Sequence, residues 1–239
     1  MKGLGTIINA LAIIAGGILG IVCKRFIKER YQETVIRATG FATMFLGAAG
    51  TFARMLTVED GARTLRAGGS MTIIISLVVG ALIGEIIDID ALFERFAAWL
   101  RHKTGSDGDS QFVNGFVTAS LTVSVGAMAI MGAIQDGVYG DHSTLAAKAV
   151  LDFIIVLVMA SSMGKGCVFS FIPVAVAQGL MTLLAAGLSG LMTEAVLANL
   201  SMVGNILICC VGVNLVWPKT IRTANLLPSI VIACLMTLL

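Results

Sequence analysis

Polar side chains inside long apolar stretches are the residues of this sequence that are best placed to do chemistry. Ser120 and Ser124 lie four residues apart, and therefore on one face of a helix. Polar groups within a membrane usually face the interior of a helix bundle, where their oxygen atoms can replace the hydration shell of an ion or solute. This pattern predicts a substrate or ion path, for which the candidate residues are Ser120, Ser124, Gly126, Gly132, Asp152, Ser161, Ser162 and Gln178.

Each of these groups also has a purely structural interpretation. Hydroxyl and amide side chains can join neighbouring helices by hydrogen bonds of about 0.6 to 2 kcal/mol each. Asp152 lies four residues after Lys148, so the two can form an ion pair at the membrane interface. The other interpretation makes Asp152 a carboxylate that binds a proton or cation near the outer mouth of a path. Both remain open at this stage.

Two segments of the chain are expected to contain breaks in their helices. Both carry small residues and hydroxyls before a Met-Gly step, at Met131-Gly132 and at Met163-Gly164. Glycine weakens a helix, and a membrane helix is interrupted only where protein or a wet cavity satisfies the freed backbone groups. We therefore expect both spans to be discontinuous or kinked near these steps, and to face each other across a central site.

Other kinds of chemistry find no support in the sequence. No Ser/His/Asp grouping, HExxH motif or phosphate loop is present. The five cysteines form no CxxC or Cys/His cluster, and the two histidines stand alone. We therefore expect no enzyme activity, no metal site and no cofactor. The net charge of +2 gives no reason to expect a nucleic-acid partner.

The composition requires a lipid bilayer as the partner of this chain. Hydrophobic residues make up 57% of the 239 positions and charged residues only 13%, about half the charge of an average soluble domain. This excludes an ordinary soluble domain, a disordered chain and a collagen. Runs without charge predict eight membrane-spanning helices in one all-helical domain over residues 1–239. The count is seven if the segment 145–164 is re-entrant. The runs are 3–23, 38–53, 67–84, 110–135, 153–164, 166–193, 195–218 and 223–239. The short fifth run makes a span over 145–162 if Lys148 and Asp152 lie near one interface.

The connections between these spans set the orientation. Eleven of the sixteen basic residues fall in loops on one side, and basic loops favour the cytoplasm, so both termini are expected outside. Between spans 3 and 4, apolar residues recur at helical spacing over 86–100, which predicts an amphipathic helix along the interface.

An internal repeat would divide the chain at the loop 136–144, into halves 1–135 and 145–239. Spans 1 and 6 both end in a GxxG pattern, at 17–20 and 187–190, and they enter the membrane from opposite sides in this topology. That arrangement is the one an inverted repeat requires, although glycine spacing in a glycine-rich chain also arises by chance.

Glycines four residues apart form narrow helix faces, as at Gly16 and Gly20 and at Gly80 and Gly84. Such faces let two helices approach closely. They serve either packing within the chain or a homo-oligomer interface, and both interpretations stay open.

The motif VGAMAIMGAIQDG at 125–137, followed by GD at 140–141 and KAVLD at 148–152, resembles a bacterial inner-membrane family, the domain of unknown function 554 (YqgA/YdfK-like). The resemblance continues in GTIINALAIIAGGILG (5–20), GALIGE (80–85), FIPVAVAQG (171–179) and NLLP (225–228). It covers nearly the whole chain and implies a polytopic protein of the bacterial inner membrane, without implying a substrate. Lys165 departs from the family pattern, which has a small or apolar residue there.

The function that these observations favour is that of a secondary transporter or ion-conducting protein for a small solute, with its site where spans 4 and 5 meet. The alternative is a membrane scaffold or sensor that acts through the basic cytoplasmic loop 24–37.

Overall fold

The computed structural model of the chain describes residues 2–24, 29–58, 65–124, 127–188 and 193–237. These residues form ten α-helices, two short 3₁₀ turns and one two-stranded antiparallel sheet. In chain order they are α1 (Leu4–Lys24), α2 (Glu29–Met55), β1 (Leu56–Val58), β2 (Leu65–Ala67), α3 (Ser70–Ile87), α4 (Ile89–Lys103), α5 (Phe112–Ser124), α6 (Ala127–Tyr139), α7 (Ser143–Met163), a 3₁₀ turn (Lys165–Ser170), α8 (Phe171–Leu188), α9 (Glu194–Val216), a second 3₁₀ turn (Thr223–Leu226) and α10 (Pro228–Leu235).

Five helical segments in the described residues are long and apolar enough to cross a membrane. They are α1, α3, α7, the segment Lys165–Ala185 and α9, and the pair α5 and α6 makes a sixth if it counts as one bent span. Large apolar side chains such as Leu11, Leu82 and Leu183 are exposed on these helices, as expected of surfaces that face lipid. An all-helical membrane fold is thereby confirmed.

The eight-span count and the inverted repeat stay predictions. Helix α2, over the predicted second span, is not among the segments that are apolar enough, and the C-terminal segment Thr223–Leu235 is a shorter apolar helix. Much of the predicted basic loop 24–37 is helical, because α2 begins at Glu29. The predicted loop 136–144 is likewise shorter than expected, because α6 continues to Tyr139.

Helices α1 and α7 pack closely and run in the same direction. The α carbon of Gly16 lies against the main chain of Phe153, and Gly20 lies against the main chain of Leu157, so that a side chain at either glycine would collide. Helices α2 and α9 pack in the same way but run in opposite directions, with Gly47 against Cys209. The predicted glycine faces therefore pack within the chain, and a homo-oligomer stays a prediction.

The predicted break in span 4 exists, but not at the Met-Gly step. Helices α5 and α6 meet at 74°, and the junction is at 125–126, which lies outside the described residues, as does the predicted site residue Gly126. Gly132 lies inside α6, where an added side chain would come within 2.8 Å of Leu145. This glycine thus allows α6 to pack against α7 and does not interrupt the helix.

The predicted break inside span 5 is wrong. Helix α7 is continuous from Ser143 to Met163, and it ends at Gly164, whose φ of +86° favours glycine. The hydroxyls of Ser161 and Ser162 both donate to the carbonyl of Val158 one turn earlier, so they are bonded within their own helix. The second Met-Gly step marks the end of the helix.

The predicted amphipathic helix is α4, which begins at Ile89 because α3 extends to Ile87. Ala97 and Leu100 are buried and pack in one cluster with Phe112 and Phe116 of α5. Trp99 is exposed, as are Leu92 and Phe96. One side of α4 therefore contacts the protein, and other apolar side chains remain available to the membrane interface.

Candidate functional site

A buried ion pair on α7 lies at the centre of the candidate site. The ammonium of Lys148 is 2.5 Å from the carboxylate of Asp152, and the two residues are only 6% and 3% exposed. The pair expected from the i, i+4 spacing is confirmed, but it lies in the interior and not at an exposed interface. Because an unpaired charge in such surroundings is very costly, each partner depends on the other.

The same ammonium also holds the end of the broken helix. Lys148 Nζ donates to the main-chain carbonyl of Val123 at 2.7 Å, and α5 ends at the next residue, Ser124. Carbonyl groups in the last turn of a helix have no partner within it and carry its partial negative charge. Lys148 therefore supplies the hydrogen bond that this carbonyl needs and joins α5 to α7.

Two amides from other helices lie beside the ion pair. Asn9 of α1 donates through Nδ2 to Oε1 of Gln178 on α8 at 3.3 Å, and the side chain of Asn9 lies near Asp152. Both amides are buried, yet Asn9 Oδ1 and Gln178 Nε2 have no partner among the described residues. The cluster thus retains unused hydrogen-bonding capacity in the interior.

A second buried carboxylate, that of Asp136, contacts α1 about one helical turn before Asn9. Asp136 of α6 is fully buried and accepts a hydrogen bond through Oδ2 from the main-chain N–H of Gly5, at 2.9 Å. This N–H is in the first turn of α1, so the carboxylate satisfies a free amide and faces the positive helix end. Its other oxygen, Oδ1, finds no partner within the described part of the chain.

A pocket of about 420 Å³ opens beside Asp136 at the start of α1. We call it the N-terminal pocket, and it is lined by Lys2, Gly3, Thr6, Gly137, Gly179, Thr182 and Leu183. The hydroxyls of Thr6 and Thr182 are buried and lack partners in the described residues. Thr6 is one turn from Asn9 and Thr182 one turn from Gln178, so the pocket leads toward the amide pair.

A second pocket, of about 440 Å³, lies at the other end of α1. The end of α1 is marked by Lys24, which lies with Asp109 beside Gly164, and the neighbouring residue Ser110 lines the second pocket. We call it the α4/α5 pocket, and its other lining residues are Asp90, Glu94, Val113, Asn114, Val117, Thr118, Leu121, Val211, Asn214, Lys219, Ile221, Arg222 and Thr223.

Charged groups are concentrated at the rim of the α4/α5 pocket. Arg222 binds Glu85 at 2.6 Å and also pairs with Asp88, which joins the ends of α3 and α4 to the loop after α9. Burial raises the pKa of Asp90, and Glu94 adds to this effect, whereas Arg222 opposes it. The rim is therefore a mixed-charge entrance in which one carboxyl binds protons more readily than an ordinary aspartate.

Hydroxyl groups of α5 extend from this pocket into the protein. Thr118 lines the pocket and makes a hydrogen bond with Asn114. The hydroxyls of Ser120 and Ser124 are buried, and neither has a partner among the described residues. Helix α5 thus carries polar groups from the α4/α5 pocket to the carbonyl that Lys148 holds.

The predicted site residues fall into four groups. Asp152 and Gln178 belong to the central cluster, and Ser120 and Ser124 lie on the neighbouring half-helix. Ser161 and Ser162 lie about two turns or more beyond Asp152, at the far end of α7, and bond to their own helix. Gly132 serves helix packing, and Gly126 is outside the described residues.

The predicted path residues did not include Thr6, Asn9, Asp136, Lys148 and Thr182, although the sequence predicted Lys148 as the ion-pair partner of Asp152. Asn9 and Asp136 are polar groups in or beside apolar runs, which was a usable signal. Nothing in the sequence could show that α1, α6, α7 and α8 bring them together. Within the described residues no group of three or more His, Cys, Asp and Glu side chains is arranged to hold a metal ion.

Comparisons with known proteins agree with this architecture at the level of the family. The family model of the protein of unknown function DUF554 matches residues 4–238. The chain is 30% identical to the "Uncharacterized membrane protein YdfK" of Bacillus subtilis (strain 168), over 95% of this chain and 93% of the relative. It is 26% identical to the "Uncharacterized protein YqgA" of Escherichia coli (strain K12), over 96% and 94%. No solved structure matches the chain. The chain belongs to the DUF554 family, and it is a membrane protein.

Proposed function

We propose that this protein carries a small solute or ion across the bacterial inner membrane and is not an enzyme. One observation carries the proposal: buried polar groups lie between two pockets, one at the start of α1 and one lined by α4 and α5. From the N-terminal pocket they lead from Thr6 and Thr182 to Asn9 and Gln178, and then to Asp152 and Lys148. From Val123, α5 leads to the α4/α5 pocket.

The energetics of these groups support a path better than a structural core. A buried polar atom without a partner costs about 1 to 3 kcal/mol. Seven such atoms lie on this route in the described residues, on Thr6, Asn9, Ser120, Ser124, Asp136, Gln178 and Thr182. Groups that serve only to hold helices together would be expected to satisfy one another. Groups that bind a passing solute must remain free to accept it.

The broken helix supports the same function. A half-helix ends at Ser124 inside the apolar part of the chain, and the carbonyl of Val123 in its last turn already binds a positive charge, the ammonium of Lys148. Broken helices at the midplane are a recurring way to bind solutes and coupling ions in transporters. The predicted orientation, with eight spans and both termini outside, places the N-terminal pocket outside and the α4/α5 pocket in the cytoplasm.

Flux through reconstituted proteoliposomes tests the proposal. We expect the protein to conduct at least one member of a panel of alkali cations, chloride, protons and labelled small organic solutes. Gln178→Leu should lower that flux at least tenfold. Asn205→Leu, which removes an amide of α9 away from the path, serves as the matched control and should retain most of it.

An absence of flux for every solute in the panel, with correctly folded protein, would contradict the proposal. The scaffold hypothesis would then gain support if the segment 24–37 captured a partner protein from membranes. The predicted orientation is checked separately by labelling an introduced terminal cysteine with a membrane-impermeant reagent in a Cys23→Ser background, because Cys23 is exposed.

A further inference from the structure

The ammonium of Lys148 occupies a position that suits a free cation. It lies between a carboxylate oxygen of Asp152 at 2.5 Å and the carbonyl oxygen of Val123 at 2.7 Å. Carboxylate and carbonyl oxygens are the donors that alkali cations use in proteins, and the free carbonyls at the end of a half-helix are common among them. Lys148 thus fills the position as a cation tethered to the chain.

Two further oxygen atoms on residues near this ion pair have no partner among the described residues. Asn9 lies near Asp152, and its Oδ1 is unpartnered among these residues although the side chain is fully buried. The hydroxyl of Ser124 follows Val123 directly and is likewise unpartnered in the described part of the chain. Neutral oxygens of this kind complete the coordination of a metal cation.

A second carboxylate could receive Lys148 if it left this position. An added side chain at Gly5 would touch both Leu145 and Asp136 Oδ2, so Leu145 lies beside the Asp136 carboxylate. Lys148 is three residues after Leu145, on the same face of α7. Lys148 extends toward Asp152 in this structure, but a rotamer that leans toward the N-terminus of α7, as most helical side chains do, would direct it toward the turn of Leu145 and Asp136, whose Oδ1 has no described partner.

We infer that Asp152, the Val123 carbonyl and Asn9 form an alkali-cation site for which Lys148 competes by moving between Asp152 and Asp136. The inference rests on the proposed function and specifies the ion that it involves. Binding of a monovalent cation adds one positive charge to a cluster that contains one lysine and two aspartates. When Lys148 pairs with Asp152, no metal cation is bound. When a monovalent cation binds Asp152, Lys148 pairs with Asp136, and neither positive charge is left alone in the interior.

The N-terminal pocket provides the entrance for the cation. Thr6 and Thr182 line it, Thr6 one turn before Asn9 and Thr182 one turn after Gln178. Their buried hydroxyls have no partner among the described residues and can replace water around an entering ion. Exchange at Lys148 would then alter the bond between α7 and the end of α5, which couples ion binding to the broken helix.

Thermal unfolding of the full-length protein in detergent tests this site. LiCl, NaCl and KCl are titrated against choline chloride at constant ionic strength and pH. We expect at least one alkali cation to raise the melting temperature of the parent protein above the choline control. Lys148→Gln removes the tethered competitor and should strengthen the apparent affinity for that cation at least tenfold.

Two further variants separate the site from a general effect of salt. Asp136→Asn still accepts the hydrogen bond from Gly5 but cannot receive a charged lysine, so it should weaken cation binding at least tenfold. Lys148→Gln/Asp152→Asn removes both charges and should abolish the cation-specific response. Lys165→Gln, at an exposed lysine just beyond α7, is the matched control and should respond as the parent does.

The inference is overturned if parent and Lys148→Gln respond to alkali chlorides as they do to choline chloride, or if the double variant keeps the response. If Lys148→Gln does not fold, Asp136→Asn and the double variant decide by the same criteria. Flux of a solute in proteoliposomes without any cation response would refute this site and leave the proposed function standing. A cation response with no flux of any solute would refute the proposed function and leave this site standing.

Discussion

Two of the helix pairs that pack through glycines, α1 against α7 and α2 against α9, differ in the polar groups beside the glycines. Where α2 faces α9, the hydroxyl of Thr51 donates to the Gly47 carbonyl of its own helix at 2.9 Å, and Asn205 donates to Ser201 of its own helix. Between α1 and α7, Asn9 has an unpartnered oxygen in the described residues and stands beside a buried ion pair.

The difference shows that close packing does not by itself distinguish a structural interface from a functional one. Glycine lets backbones approach in both places. At α2 and α9 the polar groups form hydrogen bonds within their own helices, and these bonds add stability. At α1 and α7 they retain free bonding capacity next to a charge. The degree to which buried polar groups are satisfied is therefore the more informative measure.

The largest expected effect is at the ion pair. Asp152→Asn leaves Lys148 as an uncompensated buried charge, and breaking such a pair costs about 3 to 5 kcal/mol. We expect the free energy of unfolding to fall by about that amount in denaturant titrations. The double variant Lys148→Met/Asp152→Leu should stay within about 1.5 kcal/mol of the parent, because it removes both charges. Equal losses in the two variants would show that the charges do not depend on each other.

The glycine contacts should respond alike in the two interfaces. Gly16→Ala adds a carbon against the main chain of Phe153, and Gly47→Ala adds one at 2.6 Å from the main chain of Cys209. Each should lower the free energy of unfolding by about 1 to 3 kcal/mol. Gly187→Ala is the control, since nothing lies within 4 Å of its added carbon, and it should be neutral or slightly stabilising. A loss of stability at only one interface would show that the two interfaces do not pack alike.

Removal of a hydroxyl should have opposite effects in the two regions. Thr51→Val eliminates a satisfied hydrogen bond and should destabilise the protein by about 1 kcal/mol. Ser120→Ala eliminates a buried hydroxyl that has no partner among the described residues and should stabilise it by about 1 kcal/mol. The same denaturant titration compares them. If Ser120→Ala proves as destabilising as Thr51→Val, Ser120 has a structural bond and does not line a path.

The smallest effects are expected outside both interfaces and depend on pH. The pKa of Asp90 is raised by burial, so its contribution to stability is present below its ordinary pKa and is lost as the pH rises through the raised value. The pKa of Asp141 is lowered by its hydrogen bond from the N–H of Ser143, so its contribution is lost as the pH falls through the lowered value.

Melting temperatures measured between about pH 3 and pH 6 check these directions. Asp90→Asn should remove a loss of stability on going to higher pH, and Asp141→Asn should remove a loss on going to lower pH. Slopes of the same sign in both variants would contradict the assignment.

Much of the secondary structure follows from the sequence, because apolar runs and amphipathic spacing are local properties. The amphipathic helix α4 and the interruption of span 4 are examples. The exact site of that interruption could not be predicted, because the two Met-Gly steps look alike in the sequence. Gly132 allows contact with Leu145 inside a helix, whereas Gly164 ends a helix with positive φ. The two-stranded sheet beside α2 was not predicted from the sequence.

The site was harder to predict than the helices. Asp152 and Gln178 could be named as buried polar groups, but their partners come from elements far apart in the chain. Asp136 and Gly5, for example, are separated by 131 positions. Which face of one helix meets which face of another is decided by packing over the whole molecule, so Ser161 and Ser162 could not be told apart from Ser120 and Ser124 in advance.

The parallel course of α1 and α7 has a topological consequence. If both helices cross the bilayer in the same direction, an odd number of crossings must lie between them. Helix α3 supplies one, and the bent pair α5 and α6 supplies a second if it is one broken span and not a re-entrant loop. With the pair counted as a span, the third crossing falls to α2, the most polar of the long helices, and its antiparallel contact with α9 agrees with that direction.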